Sequence, residues 1–386
     1  GELTSIRERA GNRECLAPGG RGNRLVFLED THEAMPAWTI EYTGAELGAD
    51  SVESVEIVEN GPVRQVVRVH RQHQLPGRPR PTILTQDIIL GANSPVLEFA
   101  VSGTLDAESV MVKAVFDLAF TPTETAAEAP YAVAERSAVD DHARQLDSDT
   151  AAEDAGNADR AAEDDQDRYM QQWMDASDGK AGILFLNDSL YGYDVDGHRV
   201  RLSLLRAPLD PANMLWGVVR PVERRVTGLG PFSLRYALMP HEGAWRNANA
   251  ARLATDFNTP LFVQPVRDGG EGTGVWRDWW DSRHTRPTEI ARTFVELTQA
   301  STTLITVVKQ AEDGRGLVVR LVETQGAEDT ITLRSARPLI AAQETDMLER
   351  PLADRPGALS KQGRDLHCSM APWEIKTVRI QVERSN

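Results

Sequence analysis

Only two cysteines, Cys15 and Cys368, occur in 386 residues, at opposite ends of the chain. Thiols that sparse exclude a disulfide framework and a cysteine metal site, and read as two ordinary side chains. Long apolar runs are missing as well. No stretch approaches the roughly 18 residues needed to cross a bilayer as a helix, and no basic-then-apolar leader opens the chain. The first residue is Gly1 rather than a methionine, and Leu3 to Ile6 already reads as structured. An excised or processed piece of a longer protein is therefore expected, with a cytoplasmic location. Positive charge is in deficit: Lys and Arg total 42 against 58 Asp and Glu, for a formal net charge of −16. That balance argues against nucleic acid and against an anionic membrane as partners.

Catalytic signatures are equally scarce. The eight histidines are scattered. His70 and His73 lie three apart in and just after a strand-like run, where that spacing puts side chains on opposite faces, so they should not chelate together. His32-Glu33 lacks a second histidine one helical turn on. No Gly-x-Ser-x-Gly elbow is present. The glycine-rich stretch 268–272 is not followed by Lys-Ser or Lys-Thr, which excludes a phosphate loop. A glycosidase needs two carboxyl groups flanking one bond, and among so many acidic residues the sequence singles out no pair.

What is present is alternation. Val63, Val67 and Val69 fall in phase against Arg64, Arg68 and His70; Ile331 and Leu333 alternate with Thr330, Thr332 and Arg334; Val378, Ile380 and Val382 alternate with Thr377, Arg379 and Gln381. Period two means one buried face and one wet face. Turn signals punctuate these runs at Asn60-Gly61-Pro62, Pro76-Gly77, Asp196-Gly197, Asp313-Gly314 and Arg355-Pro356-Gly357. Long helical patterns are few. An all-β protein of two domains follows. The first domain is expected over 1–263, interrupted by an acidic, Ala-rich insertion at about 140–168. A Gly/Trp-rich connection follows over 264–292, and a small β-domain over 293–386. Trp276, Trp279 and Trp280 in the connection read as interdomain packing in preference to a sugar-stacking surface.

Several motifs, in order, carry a resemblance. They begin with Gly1-Glu2-Leu3-Thr4-Ser5-Ile6, Gly22-Asn23-Arg24-Leu25 and Glu59-Asn60-Gly61-Pro62-Val63-Arg64. The longest runs from Gly182 through Asn187-Asp188-Ser189-Leu190-Tyr191-Gly192-Tyr193-Asp194. Leu202 to Pro208, Tyr236 to Gly243, Lys309 to Gly314 and Pro372 to Thr377 complete the set. Together they resemble the C-terminal region of glycoside hydrolase family 38 α-mannosidases over nearly the whole chain. The resemblance implies a galactose-mutarotase-like β-supersandwich followed by a small terminal β-sandwich. There are departures. Pro36-Ala37-Trp38-Thr39 stands where the family often has Asp-Ala-Trp-Asp, and Ala132 and Arg136-Ser137 replace a glycine and an Arg-Pro pair.

Family 38 enzymes look like retaining hydrolases that use a carboxylate nucleophile, a second carboxyl group and a zinc ion that holds the sugar hydroxyls. The resemblance places nucleophile and metal ligands in an N-terminal barrel whose His-x-Asp segment this sequence does not contain. Hence neither catalytic nor metal residues are assigned, and zinc is expected in the barrel. The barrel and an α-mannoside are the implied partners, with homo-oligomerisation left open. The β-half would support the barrel and lend residues to its rim, with Arg136 and Tyr191 as substrate-binding candidates. Turn chemistry alone accounts for Asn187-Asp188 and Gly192, for Pro240-His241-Glu242-Gly243 and for Asp313-Gly314. The alternative is a free-standing carbohydrate-binding supersandwich. An aldose epimerase, which needs acid and base groups across one concave face, finds no support in the scattered histidines.

Overall fold

A computed structural model describes residues 1–9, 11–30, 40, 42–138, 167–208, 226–261, 293–353 and 359–383. The chain divides into two compact units, Gly1–Thr259 and Pro260–Asn386. The connection expected over 264–292, with Trp276, Trp279 and Trp280, lies outside the described residues. So does nearly all of the acidic stretch, although its last two residues, Asp167 and Arg168, are described.

The all-β expectation holds. In the first unit nine antiparallel strands form one sheet, in the order Ala132–Ser137, Glu124–Ala129, Trp173–Ser177, Ala181–Asn187, Gly230–Glu242, Leu97–Leu105, Thr82–Gly91, Arg64–Gln74 and Ala49–Asn60. Six more form a facing sheet, in the order Arg168–Tyr169, Gly192–Asp196, Arg199–Arg206, Val110–Asp117, Arg24–Asp30 and Tyr42–Glu46. The inner faces meet through aromatic rings. Phe99 and Tyr236 of the large sheet stack at 5.2 Å, Phe116 of the small sheet reaches Phe185 at 5.1 Å, and Phe99 lies 6.0 Å from Phe116. Such tilted and offset pairs add roughly 0.5–1.5 kcal/mol each beyond the area they bury. The outer face of the large sheet carries a second apolar layer of Trp173, Leu184, Ala237 and Met239. Trp245 and Ala254, the latter from the helix Ala250–Asn258, join that layer.

Two strands depart from simple alternation. In Arg64–Gln74 the buried positions include Val69, Arg71 and His73, while Val63, expected in phase with them, is 73% exposed. Val63 precedes the strand in the Asn60-Gly61-Pro62 turn, so its side chain is not directed by the pleat. Arg71 is tolerated inside because Asp50, one strand over, takes its guanidinium. His73 turns inward to stack on Phe27 of the facing sheet at 3.9 Å, while His70 contacts Thr85. The two histidines thus face opposite ways. Val110–Asp117 is buried at every position, because Val112, Ala114 and Phe116 enter the inner core while Met111 and Val115 pack on the outer face.

The second unit pairs two four-stranded sheets. One holds Val295–Gln299, Asp329–Ser335, Asp365–Met370 and Leu359–Gln362; the other holds Thr303–Gln310, Leu317–Glu323, Ile375–Val382 and Leu339–Thr345. Ile331, Leu333, Val378 and Ile380 are buried, as the alternation requires. The turn at Asp313-Gly314 joins Thr303–Gln310 to Leu317–Glu323 as a hairpin, with Gly314 at φ 72°.

The corner at Ser301–Thr303 is fixed by one carboxylate. Asp329 accepts hydrogen bonds from the amides of Ser301, Thr302 and Thr303 at 3.0–3.2 Å. Partial burial alone would raise its pKa, but these hydrogen bonds outweigh it and hold the carboxyl below its ordinary value. A carboxylate with a depressed folded pKa contributes stability above its unfolded value of about 3.9 and loses it as pH falls through the folded one. Asp329→Asn should therefore cost about 1–3 kcal/mol at neutral pH. In thermal melts of the whole chain, the gap to wild type should narrow below about pH 4; a gap that does not change with pH would remove the charge from the account.

Candidate functional site

The strand Ala181–Asn187 belongs to the large sheet and Gly192–Asp196 to the small one, so the turn between them crosses from one layer to the other. Asn187 sets that crossing: its Oδ1 accepts the Leu190 amide at 2.9 Å and its Nδ2 donates to the Gln171 carbonyl at 2.9 Å. The turn presents Tyr191 at the surface, 67% exposed. Tyr169, 51% exposed, lies alongside through the pairing of Tyr169 with Gly192. Arg136, at the edge of the large sheet, holds its guanidinium 5.6 Å from the Tyr169 ring centre, a cation–π distance. The two sequence-predicted residues thus flank one shared tyrosine, at a lip where the two sheets of the first unit approach each other.

Two clefts open from this lip. The cleft beside Tyr191 is lined by Asp167, Tyr169, Ser203 and Arg206. The cleft beside Arg136 is lined by Glu135, Asp175, Trp245 and Arg246. Glu135 there accepts from Trp245 Nε1 at 2.7 Å and from Arg246 at 2.6 Å. The hydrogen bond from Trp245 holds the Glu135 carboxyl below its ordinary pKa, and Arg246 adds to it.

Beneath the Tyr191 cleft, on the outer face of the small sheet, runs a row of charges that alternation did not reveal. Lys113 is fully buried, and its ammonium donates to Asp167 Oδ1 at 2.7 Å and to Asp194. Asp194 also accepts from Arg201, and Ser203 Oγ donates to Asp167 Oδ2 at 2.7 Å. Burial outweighs the attraction of Lys113 and raises the Asp167 pKa. Along the same face Arg206 forks onto Asp30 at 2.6 and 3.1 Å, and Arg199 meets Asp117 at 2.8 Å. The readable trace is a run of charges two apart, Asp194 and Asp196 against Arg199 and Arg201. Lys113 and Asp167 gave no such signal, being 54 residues apart.

A further buried titratable pair is His241 with Asp175. His241 closes the strand Gly230–Glu242 before Gly243 turns the chain at φ 71°. Its Nε2 donates to Asp175 Oδ2 at 2.6 Å and its Nδ1 to the Glu242 carbonyl at 3.2 Å. Both ring nitrogens are thus engaged by an oxygen, and burial raises the Asp175 pKa as well, so the two groups hold their proton between them. Burial alone would lower the imidazole pKa, but the hydrogen bond and charge of Asp175 raise it. A ring tied at both nitrogens has none left for proton transfer. The pair is a clasp that reaches across Ala181–Asn187, where Gly182 leaves the room: a Cβ there would stand 2.2 Å from His241 Cε1.

None of these carboxylates forms the open pair that glycoside hydrolysis needs. Asp167 and Asp194 are occupied by Lys113, and Asp175 by His241. Among the described residues no three His, Cys, Asp or Glu side chains converge as metal donors, so these residues do not fit a zinc ion. No helix among them is long and apolar enough to cross a membrane.

The glycosyl hydrolases family 38 C-terminal domain matches residues 1–214, which is more than half of the chain. This chain belongs to glycosyl hydrolase family 38. The family's C-terminal beta sandwich domain matches residues 303–378, within the second unit. Alpha-mannosidase G of Dictyostelium discoideum is 26% identical over 98% of this chain and 31% of its own length. Human alpha-mannosidase 2C1 is 29% identical over 56% of this chain and 18% of its own. The chain thus spans less than a third of the length of these curated relatives. A family 38 protein from Enterococcus faecalis shares the fold, with a TM-score of 0.68 at 16% identity over 98% of this chain and 42% of that one.

Two substitutions test the buried framework. Lys113→Met leaves Asp167 and Asp194 buried without their common cation, and should cost about 3–5 kcal/mol in denaturant unfolding; a loss under about 1 kcal/mol would mean the carboxylates find other relief. Gly182→Ala drives a methyl into the tethered His241 ring and should cost about 1–3 kcal/mol.

Proposed function

We propose that this chain is the C-terminal β-portion of a retaining, zinc-dependent α-mannosidase, in which it supports an N-terminal catalytic barrel and lends residues to the active-site rim. The observation that carries this reading is the match to alpha-mannosidase G along 98% of the chain, together with both C-terminal domains of the family. The chemistry of the described residues agrees with a supporting role, since their buried acids serve as ion-pair partners. Nucleophile, acid/base carboxyl and zinc belong, on this reading, to the barrel, and α-mannosides are the substrate.

The rim contribution rests on Arg136, Tyr169 and Tyr191. A guanidinium can fork onto two vicinal hydroxyls, and an exposed aromatic ring can cover the apolar face of a pyranose. Arg136 stacked on Tyr169 is restrained in direction, which lowers the cost of fixing it against a sugar. The same exposed tyrosines favour the second reading, a carbohydrate-binding module that works without a barrel.

An aryl α-mannoside separates the two. The longer protein should hydrolyse it, whereas the 386-residue chain should not, with or without added zinc. In the longer protein Arg136→Ala and Tyr191→Ala should each raise KM by roughly 3- to 30-fold, about 0.7–2 kcal/mol, with melting temperature unchanged. Titration calorimetry of the short chain with methyl α-mannoside should show no heat of binding at millimolar sugar. Saturable binding by the short chain would favour the module, and hydrolysis by it would overturn the assignment of the chemistry to the barrel.

A further inference from the structure

The nine-stranded sheet is wider than the six-stranded sheet that faces it, and the excess falls at one end. Residues directly opposite each other on antiparallel strands point to the same face. Val101, in the inner core, stands opposite Gln86, Gln86 opposite Val69, and Val69 opposite Val55. This row marks the inner face. Along it Val101, Gln86 and Val69 are 2%, 0% and 1% exposed, yet Val55 is 59% exposed. The neighbouring row repeats the pattern: Ile57, opposite Val67, is 70% exposed. Val52 and Leu90 extend the strip, at 49% and 45%. The inner face of Ala49–Asn60 therefore overhangs the smaller sheet and, among the described residues, carries apolar side chains with nothing over them. Ala49–Asn60 is also the terminal strand of its sheet, so one edge of its backbone is unpaired in that sheet, and long edges of this kind are ordinarily covered.

The start of the chain lies at the inner border of this strip. A Cβ added to Gly1 would lie 3.0 Å from Val69 Cγ1 and 3.2 Å from Gln86 Oε1, so Gly1 rests on the row that leads to Val55. Around it buried polar atoms are left over: among the described residues Arg71 Nη1 and Gln86 Oε1 have no hydrogen-bond partner. Burial, and next the Arg71 charge, lower the pKa of the Gly1 amino group. A peptide nitrogen at the same place would carry no charge against Arg71.

Resting on the reading that the chain is part of a longer α-mannosidase, we propose that the overhang formed by Val52, Val55, Ile57 and Leu90 is the seat of the polypeptide immediately preceding Gly1, the portion that joins the N-terminal domain to this one. Its backbone serves Arg71 and Gln86, and its apolar side chains cover the strip. The other face of the same strand stays in water, where Glu56 stands opposite Arg68.

Thiol labelling tests this on the whole protein. Cys15 and Cys368 are both buried, so in the 386-residue chain a cysteine placed at the strip reports alone, and in the longer protein the label is read by mass on the peptide that carries it. Val55→Cys and Ile57→Cys should react with a maleimide quickly in the 386-residue chain and about tenfold or more slowly in the longer protein. Glu56→Cys, on the outer face, should react at the same rate in both. Equal rates at Val55→Cys in the two proteins overturn the proposal. So does slowing in the short chain that grows with its concentration, which would assign the strip to a second copy. Should a cysteine variant fail to fold, amide exchange of Ala49–Asn60 in the unsubstituted proteins gives the same comparison. Mannoside hydrolysis by the longer protein is measured separately: protection without hydrolysis keeps the docking and removes the enzyme reading, and hydrolysis without protection does the reverse.

Discussion

Two antiparallel sheets that bury a common face need not be equally wide, and in the first unit most of what is distinctive follows from their inequality. The shared part is closed by aromatic contacts, Phe99 against Tyr236 and Phe116 against Phe185. Everything outside that overlap needs another solution. On the outer face of the large sheet the solution is apolar, with Trp173 and Trp245 at 5.3 Å and the helix Ala250–Asn258 packed alongside. On the outer face of the small sheet an ionic row, with Lys113 between two carboxylates and Arg206 on Asp30, stands beside the apolar patch of Met111 and Val115. At the overhang neither solution is applied, and Val55 and Ile57 are left in water.

The ionic solution constrains what the Tyr191 cleft can do. A buried ammonium shared by Asp167 and Asp194 is costly to desolvate and strongly destabilising to break, so those acids are fixed as structural charges. The same reasoning applies to His241, whose two ring nitrogens are both engaged. What remains available at the lip is Arg136, Tyr169 and Tyr191, groups that recognise hydroxyls and ring faces without breaking bonds. On the proposed reading a surface of that kind complements a catalytic domain, which accords with the lack of an open pair of acids among the described residues.

The sequence made the fold class legible because period-two alternation and turn residues are local signals. Ile331, Leu333, Val378 and Ile380 could be placed from their neighbours alone. Alternation failed where two faces are buried at once, as in Val110–Asp117, and where a charge goes inside. Arg71 falls in phase with Val67 and Val69, and only its pairing with Asp50, 21 positions away, reveals how a charge can be held there. The site was less legible than the fold. Tyr191 and Arg136 came from motif resemblance, and the contact that relates them runs through Tyr169, in a strand of two residues that no periodicity could mark. The ionic row was hidden for a similar reason: Asp167 closes the acidic stretch and reads there as one more solvated carboxylate, whereas its side chain meets the buried Lys113.

The overhang bears on how the longer protein would fold. Ala49–Asn60 pairs with Arg64–Gln74 across a short turn at Asn60-Gly61-Pro62, so this hairpin forms from local contacts that cost little loop entropy. Its inner face then stands exposed until something covers it, and an exposed apolar edge of this length invites association with other chains. Glu53, Glu56 and Glu59 along the same strand oppose such contacts by charge. On the proposal above, a segment entering at Gly1 would need no search through space to reach the strip, because Gly1 lies beside Val69, and that effective concentration would favour it over any free competitor. If the segment is the occupant, the two β-sheets complete their mismatch with chain supplied from outside the sandwich, and the domains are joined by burial as well as by the peptide bond.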